Sequence, residues 1–224
     1  MGRQRFFMVL VVVVVGWVLV PAGRVAADQV IAEFDVFDYT GSWFVSPLHD
    51  SQEWIAQTFK ATTSARADSV DLVLESDPAN NPDNLPLRVQ LRTTYVASYN
   101  GIVPSDNIIA EGSIAHDDSR FTGSLTWKNI DLTPVDLVAG ESYAIVIKTD
   151  NLTDEAYDWY GKWQSGQDPY PDGREVIMLT VGQWNFSSGD LAFRVNSSVV
   201  PEPCTMVLLS LGGAGLLLHR RHRR

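Results

Sequence analysis

Residues 85–92 read Leu-Pro-Leu-Arg-Val-Gln-Leu-Arg, and the alternation of apolar and polar side chains in this stretch decides the fold class. Alternation with a period of two places successive side chains on opposite faces of a strand, so Leu87, Val89 and Leu91 are predicted to share one buried face. Residues 70–75 read Val-Asp-Leu-Val-Leu-Glu and alternate in the same way with one extra valine. Both stretches therefore predict strands with one face toward a core.

Outward from these two stretches, the rest of the central sequence also has the composition of strands. Turn-forming residues separate the segments, as in the Pro-Asp-Gly of residues 171–173, and no stretch between the two ends keeps the apolar spacing of a long helix. The further predicted strands are 30–34, 54–61, 108–114, 125–132, 142–148, 175–181 and 191–195. About nine strands at this spacing predict an all-β fold, an antiparallel β-sandwich or jelly roll.

The N-terminus has the three parts of a secretory signal. Two arginines precede an apolar run over residues 6–20, and Val25 and Ala27 place small side chains at the −3 and −1 positions of a cleavage site before Asp28. A run of this length gives a helix of roughly 22 Å, which is shorter than the roughly 30 Å hydrocarbon core of a membrane. We therefore predict that residues 1–27 form a signal helix that signal peptidase removes.

The C-terminus joins a proline-containing motif, a short apolar segment and an arginine-rich tail. The motif is Val200, Pro201, Glu202 and Pro203, and the arginines of the tail are Arg220, Arg221, Arg223 and Arg224. Between them, residues 204–218 are apolar and are predicted to form a transmembrane helix, although three glycines weaken it. Because the arginines are expected to stay in the cytoplasm, this orientation exports residues 28–198.

These three features, in this order over residues 199–224, resemble the PEP-CTERM sorting signal of Gram-negative and related bacteria, also called the ice-binding protein C-terminal domain. The resemblance implies recognition by an exosortase, an integral-membrane cysteine protease that removes the helix and delivers the protein to the cell surface or extracellular polysaccharide. It also implies that Pro201, Glu202 and Pro203 are recognised by that enzyme and are not catalytic residues of this chain. The alternative is a plain tail anchor, in which the helix is never cut and the protein is retained in the membrane.

The body of the chain has a second resemblance. Residues 57–59 (Gln-Thr-Phe), 157–159 (Tyr-Asp-Trp) and 190–194 (Asp-Leu-Ala-Phe-Arg) are similar to parts of exported bacterial jelly-roll modules called choice-of-anchor domains. The resemblance implies a jelly-roll fold and a surface location, and carbohydrate-binding modules share the same general fold.

Charge is distributed unevenly along the chain. The formal net charge of the whole chain is −10, but both terminal segments are basic, and residues 28–200 alone carry −16. A body this acidic argues against a nucleic-acid partner, because phosphate binding needs a basic surface. It also argues against adhesion to anionic lipid through a polybasic face.

The body holds few residues suited to catalysis. Its two histidines, His49 and His116, lie outside any recognisable hydrolase or zinc-binding motif, and the only cysteine of the chain, Cys204, follows the second proline of the C-terminal motif. We therefore predict that the protein is not an enzyme. A secreted polysaccharide hydrolase that uses a pair of carboxylates is the alternative, because an acidic chain supplies many such pairs.

A structural calcium ion is the cofactor that the sequence suggests. Loop carboxylates and carbonyls hold such hard cations, and this domain has no disulfide to stabilise it. The candidate ligands stand in two polar loops and before the last strand, and they are Asp77, Asp83, Asp168, Asp172 and Asp190. Aspartates also favour turns, so these positions have a purely structural interpretation as well.

Aromatic rings at the surface would offer a sugar a flat face for stacking. The candidates for a carbohydrate site are Tyr157, Trp159, Trp163 and Trp184. The first two alternate as core residues also do, whereas Trp54 and Trp127 lie within strands and are expected in the core. The sequence thus predicts an exported, non-catalytic protein of the cell surface or extracellular matrix, with polysaccharide as the candidate ligand.

Overall fold

The structure is a computed structural model that describes residues 29–35, 41–45, 54–76, 85–97, 101–115, 117–121, 125–149, 157–163, 169–180, 183–187 and 189–198. The predicted signal peptide and the predicted C-terminal helix lie outside these residues. Within the described ranges, no helix has the length and apolar character needed to cross a membrane.

The described residues form thirteen strands and one short 3-10 turn at Ser119–Phe121. The strands are β1 (Gln29–Phe34), β2 (Gly41–Val45), β3 (Trp54–Lys60), β4 (Ala65–Ser76), β5 (Leu87–Val96), β6 (Ile102–Ile114), β7 (Thr126–Leu137), β8 (Ser142–Thr149), β9 (Tyr157–Trp163), β10 (Glu175–Thr180), β11 (Gln183–Phe186), β12 (Gly189–Leu191) and β13 (Phe193–Ser197).

Six strands form an antiparallel sheet in the order β11-β10-β3-β8-β5-β6. The alternating stretch of the sequence forms the first part of β5, and its alternate apolar side chains are buried in the core, as predicted. Gln90 and Arg92 on the opposite face are also buried, at 2% and 3% exposure. The guanidinium of Arg92 donates to the Gln90 side chain at 3.0 Å and lies over the ring of Trp54. The outer face of this sheet is therefore covered as well, which simple alternation does not predict.

Seven strands form the second antiparallel sheet, in which β1, β13, β4, β9 and β12 follow one another while β7 pairs with β4 and β2 pairs with β9. The long strand β4 organises this sheet, because one edge pairs with β7 and the other pairs with β13 and then β9. Val70, Leu72 and Leu74 are buried in the core, as predicted. Val73 faces the opposite way and is buried against Ala192.

The inner faces of the two sheets enclose one apolar core. Phe59 of the six-stranded sheet packs against Phe193 of the other sheet with ring centroids 5.5 Å apart. Tyr170 meets Phe193 edge to face at 5.4 Å. Ring pairs of this kind stabilise a fold by about 0.5–1.5 kcal/mol beyond the area that they bury. Aromatic contacts therefore tie the sheets together at the end where Tyr170 lies.

Two antiparallel sheets packed face to face confirm the predicted all-β sandwich, and the fold is consistent with a jelly-roll-like domain. The strands β2, β9, β11 and β12 are absent from the prediction. They are short or contain glycine and polar residues, so the period-two alternation is weak in them. Their strand conformation depends on pairing with neighbours, which composition alone does not reveal.

The two sheets approach each other closely where β6 and β7 run side by side. The hydroxyl of Thr133 on β7 donates to the carbonyl of Glu111 on β6 at 3.3 Å. A Cβ atom added at Gly112 would lie 2.1 Å from the carbonyl oxygen of Asp131. Position 112 therefore needs glycine, because any side chain would force the two backbones apart.

Replacing Gly112 with alanine is expected to lower the free energy of unfolding by about 1–3 kcal/mol, as overpacked core positions do. Urea denaturation would measure the loss. Ser113→Ala, at the exposed neighbouring position, is the matched control and is expected to stay within about 0.5 kcal/mol of the parent. A Gly112→Ala variant as stable as the parent would contradict the close approach of β6 and β7.

Candidate functional site

A cleft of about 320 Å³ opens at one end of the six-stranded sheet. Its walls come from the end of β3, the start of β6, the start of β8 and the turn before β10. The lining residues are Lys60, Gly101, Ile102, Ser142, Pro171, Asp172, Gly173 and Arg174. Antiparallel pairing brings these strand ends to the same side of the sheet, so residues far apart in the chain converge there.

The turn before β10 is fixed at both of its ends. The N–H of Gly173 donates to the carbonyl of Tyr170 at 3.1 Å, and the N–H of Tyr170 donates to Asp190 Oδ2 at 3.0 Å. The N–H of Thr58 donates to the carbonyl of Arg174 at 2.9 Å, and the N–H of Arg174 donates to the Thr58 hydroxyl at 2.9 Å. Hydrogen bonds to β3 therefore fix the backbone of Arg174, from which its side chain extends.

The Arg174 guanidinium is positioned by an aromatic ring. Its central carbon lies over Phe186, 5.1 Å from the ring centroid. Phe186 in turn lies against Gly101, where an added Cβ would be 1.8 Å from a ring carbon. A cation above an aromatic face is attracted by the ring by about 0.5–1 kcal/mol at an exposed site. Glycine at position 101 thus leaves room for the ring that holds the cation at the cleft.

Two cations of the cleft have no anionic partner in the described part of the chain. The chain has 27 acidic residues, and all except Glu202 fall within residues 28–200, alongside only ten of its 17 lysines and arginines. Even so, neither Lys60 nor Arg174 forms an ion pair with a described residue. Asp172 supplies a carboxylate to the lining. The cleft therefore presents unneutralised positive charge within an acidic domain.

The rim of the cleft along the β5–β6 hairpin is apolar. Ile102, which lines the cleft, is 40% exposed, and its cross-strand partner Val96 is 69% exposed. Large apolar side chains that are exposed together mark a contact surface more often than isolated ones do. Positive charge and apolar surface thus lie next to each other at this end of the sheet.

Behind the turn, a polar group bridges the two sheets inside the core. Gln57 of β3 is fully buried, and its Nε2 donates to Asp190 Oδ1 on β12 at 2.9 Å. Its Oε1 accepts the N–H of Leu191 at 2.8 Å. Because Asp190 also accepts the N–H of Tyr170, one carboxylate joins both sheets to the turn that lines the cleft.

Glu175 is the second buried carboxyl in this region. It pairs with Gln57 across β3 and β10 and is 1% exposed. Neither of its carboxyl oxygens has a hydrogen-bond partner among the described residues. Burial is the main cause that raises the pKa of Glu175 to about 8, and the charge of Asp190 contributes to the increase. Glu175 is therefore mostly protonated at neutral pH.

Two of the candidate sugar-binding aromatics are core residues. Tyr157 and Trp159 are 1% and 0% exposed. The hydroxyl of Tyr157 donates to the carbonyl of Leu85 at 2.7 Å, and Nε1 of Trp159 donates to the carbonyl of Ala192 at 2.8 Å. The alternation within β9 directs both rings inward, where a ligand from solvent has no access. Their assignment to a carbohydrate site is corrected accordingly.

The other two candidates differ from that pair. Trp163 is the last residue of β9, and its side chain lies outside the described part of the structure. Trp184 on β11 is half-buried and packs, together with Phe186, against an apolar cluster on the outer face of the six-stranded sheet. Trp184 is thus near the aromatic support of the cleft, although it does not line the cleft itself.

The expectation that Trp54 and Trp127 lie in the core is wrong. Both are half-buried and pack on the outer faces of their sheets. Arg92 and Lys148 each lie 4.9 Å from the Trp54 ring centroid, and Arg194 lies 4.3 Å from that of Trp127. Cations therefore cover these rings, which explains how tryptophan occupies an outward position in a strand.

The aspartates predicted as calcium ligands do not converge in the described structure. Asp190 accepts hydrogen bonds from Gln57 and Tyr170 inside the protein, which gives it a structural role, and its assignment as a calcium ligand stays a prediction. Asp172 is exposed at the cleft. The remaining candidates lie outside the described residues: Asp77, Asp83 and Asp168. Among the described residues, no group of three or more His, Cys, Asp and Glu is arranged to hold a metal ion. Calcium in the remaining loops stays a prediction.

If the chain were a hydrolase with a pair of carboxyl groups, Glu175 and Asp190 would be the pair to consider. They are 1% and 2% exposed and face the interior of the sandwich. A hydrolase needs its two carboxyl groups on either side of a substrate bond. The raised pKa of Glu175 follows from burial, so it gives no support to a catalytic role. His49 and His116 lie outside the described residues.

Sequence reasoning missed the cations of the cleft. Lys60 and Arg174 are 114 positions apart in the numbering, and only the pairing of β3 with β10 brings them together. A usable signal was present, because cations are scarce in residues 28–200 and Arg174 directly follows the Pro-Asp-Gly turn. No sequence motif marks the ring of Phe186 as its support.

Replacing Asp190 with alanine is expected to destabilise the fold, because the Gln57 amide and the Tyr170 N–H each lose an acceptor in the interior. The cost is about 1–3 kcal/mol for each buried donor left without a partner. Asp190→Asn keeps one acceptor oxygen and is expected to lose less. Thermal or urea unfolding measures both, with the exposed Asp136→Ala as control. Equal stability of Asp190→Ala and Asp136→Ala would contradict the bridging role.

Replacing Glu175 with glutamine is expected to flatten the pH dependence of stability. Between pH values of about 4.5 and 8 the folded state keeps a proton on Glu175 that the unfolded chain has released. The free energy of unfolding therefore falls as pH rises, by up to about 1.4 kcal/mol per pH unit, and this contribution is complete below pH 4.5 and lost above pH 8. Urea denaturation from pH 4 to 9, with exposed Glu141→Gln as control, tests this. Parallel profiles for Glu175→Gln and the parent would contradict it.

Comparison with known proteins concerns the C-terminal end of the chain. A family model described as the PEP-CTERM protein-sorting motif matches residues 199–224. No curated protein matches the chain. Signals of this kind are recognised in general by an exosortase, a membrane protease. The predicted resemblance of the tail is confirmed: residues 199–224 are a PEP-CTERM sorting motif, and this motif indicates an exported protein that an exosortase targets.

Proposed function

We propose that this chain is a non-catalytic protein of the cell surface or extracellular matrix whose β-sandwich binds polysaccharide. The PEP-CTERM motif at residues 199–224 is the single observation that carries the proposal. An exosortase recognises Val200 to Pro203, removes the apolar residues 204–218 with the arginines, and releases the chain from Asp28 to Pro203 outside the inner membrane. The chain is anchored in the membrane only between translocation and this cleavage.

The interior location of the Glu175 and Asp190 carboxyl groups supports a non-catalytic role. Glu175, a carboxyl whose pKa is raised, is buried in the core together with Asp190. The polar groups of the cleft are two cations, one aspartate and one serine. Among these lining residues there is one carboxylate, and no opposed pair of carboxyl groups of the kind on which glycoside hydrolases depend.

The surface at the cleft supports a binding role. A concave site with charged groups on one side and exposed apolar side chains on its rim suits a ligand that has both polar groups and apolar faces. A sugar ring has hydroxyl groups around its edge and C–H bonds on its faces. Ile102 and its cross-strand partner Val96 offer the apolar contact, and Ser142 and Asp172 offer hydrogen bonds.

Mass spectrometry of the exported protein tests the sorting part of the proposal. In a host with an exosortase, the mature chain is expected to begin at Asp28 and to lack residues 204–224. Substitution of Pro201, Glu202 and Pro203 by alanine is expected to leave the tail attached and the protein in the membrane fraction, because the protease no longer recognises it.

Ser210→Ala, inside the apolar segment but outside the motif, is the matched control and is expected to be processed like the parent. A parent chain that retains Arg221 to Arg224 at the cell surface would contradict sorting by cleavage and would favour permanent anchoring. Equal processing of the triple-alanine chain would contradict recognition of the motif.

A further inference from the structure

We infer that the cleft between the end of β3 and the turn before β10 binds carboxylate-bearing sugar residues, so that the ligand is an acidic polysaccharide of the uronate class. This inference rests on the proposed polysaccharide binding and adds the charge class of the ligand. It depends on Lys60, Arg174 and the groups that position them.

The charge of the domain makes these two cations informative. Residues 28–200 carry a net charge of −16, so most of the surface repels an anionic polymer. In salt of about 0.15 M this repulsion is screened beyond about 8 Å, whereas direct contacts are not. An acidic polymer is therefore expected to bind where cations lie at the surface without an anionic partner. Lys60 and Arg174 meet this requirement within the described residues.

The guanidinium of Arg174 is suited to a carboxylate in particular. Its planar group of donors matches the two oxygens of a carboxylate in a bidentate hydrogen bond. The ring of Phe186 and the backbone bonds to Thr58 restrict its orientation before any ligand arrives. Because the Arg174 side chain is already restricted, it loses less conformational entropy when a ligand binds. Lys60 adds a second charge from the neighbouring strand.

The rest of the cleft favours a sugar over a free inorganic anion. A site for a small anion would be enclosed and polar, whereas this cleft is open to solvent along the apolar rim of Ile102 and Val96. Its volume of about 320 Å³ is at the lower end of the range for small-ligand sites, which suits a short segment of a longer chain. Asp172 is placed to accept hydrogen bonds from ligand hydroxyl groups.

Isothermal titration calorimetry of the full chain with hexagalacturonate tests the inference. The buffer contains a polyoxyethylene detergent, because a detergent of this kind has no sugar group. The matched ligand is the same hexamer with its carboxyl groups fully methyl-esterified, which removes the charge and keeps the rings. The acid is expected to bind at least about tenfold more tightly than the ester, as charged hydrogen bonds imply. Inorganic phosphate at equal ionic strength is expected not to displace the hexamer.

Two substitutions assign the binding to this cleft. Arg174→Gln and Lys60→Gln are each expected to weaken binding of hexagalacturonate about tenfold, with Arg174→Lys intermediate because it keeps the charge and loses the bidentate group. Arg66→Gln removes an exposed cation from β4, away from the cleft, and is expected to change the affinity less than about twofold. Unchanged melting temperatures confirm that the variants are folded.

The outcomes separate this inference from the proposed function. If the ester binds as tightly as the acid, or if Arg66→Gln weakens binding as much as Arg174→Gln, the polysaccharide function stands and the inference is wrong. If phosphate displaces the hexamer, the cleft is an anion site and the inference is also wrong. If neither hexamer binds and no neutral polysaccharide is retained by the immobilised chain, the proposed binding function fails as well.

Discussion

The hydrogen bonds of Gln57 with Asp190 and Leu191 are the constraint on which this sandwich depends. Apolar contacts alone bring two sheets together without fixing their relative position, because dispersion and the hydrophobic effect have little direction. A buried amide that has partners on both sheets fixes that position, since any slip would leave polar atoms without partners. The Asp190 carboxylate also accepts the N–H of Tyr170 and so fixes the turn from which Arg174 extends. The packing of the core and the geometry of the surface cleft therefore depend on the same residue.

Period-two alternation predicted the architecture because it reports which face of a strand is buried. The prediction was correct for β4 and β5, in which apolar residues recur at every second position over much of the strand. The alternation did not predict that side chains also cover part of the outer face of each sheet. Trp54 and Trp127 were assigned to the core on the assumption that a tryptophan in a strand points inward. Each instead lies outside beneath arginine or lysine, an arrangement that depends on cross-strand neighbours and is invisible in local sequence.

The candidate site was harder to predict than the fold, because it also depends on which strands are neighbours. Aromatic density drew attention to Tyr157 and Trp159, but both are core residues. Asp190, a candidate calcium ligand because it precedes the last strand, accepts hydrogen bonds inside the protein that no sequence pattern indicates. The residues that do line the cleft come from three strand ends and the turn before β10, and strand order brings them together. By contrast, the C-terminal sorting motif is contiguous, and the sequence alone was enough to identify it.

The pairing of β1 with β13 imposes an order on how this exported protein matures. The first strand and the last strand of the domain are neighbours, from Gln29 opposite Ser197 to Phe34 opposite Phe193. A chain that crosses the membrane from its N-terminus cannot complete that sheet until residue 197 has emerged. Contacts of such long sequence separation also form slowly. The sheet is therefore completed only by the last residues of the domain, which directly precede the sorting motif at residues 199–224.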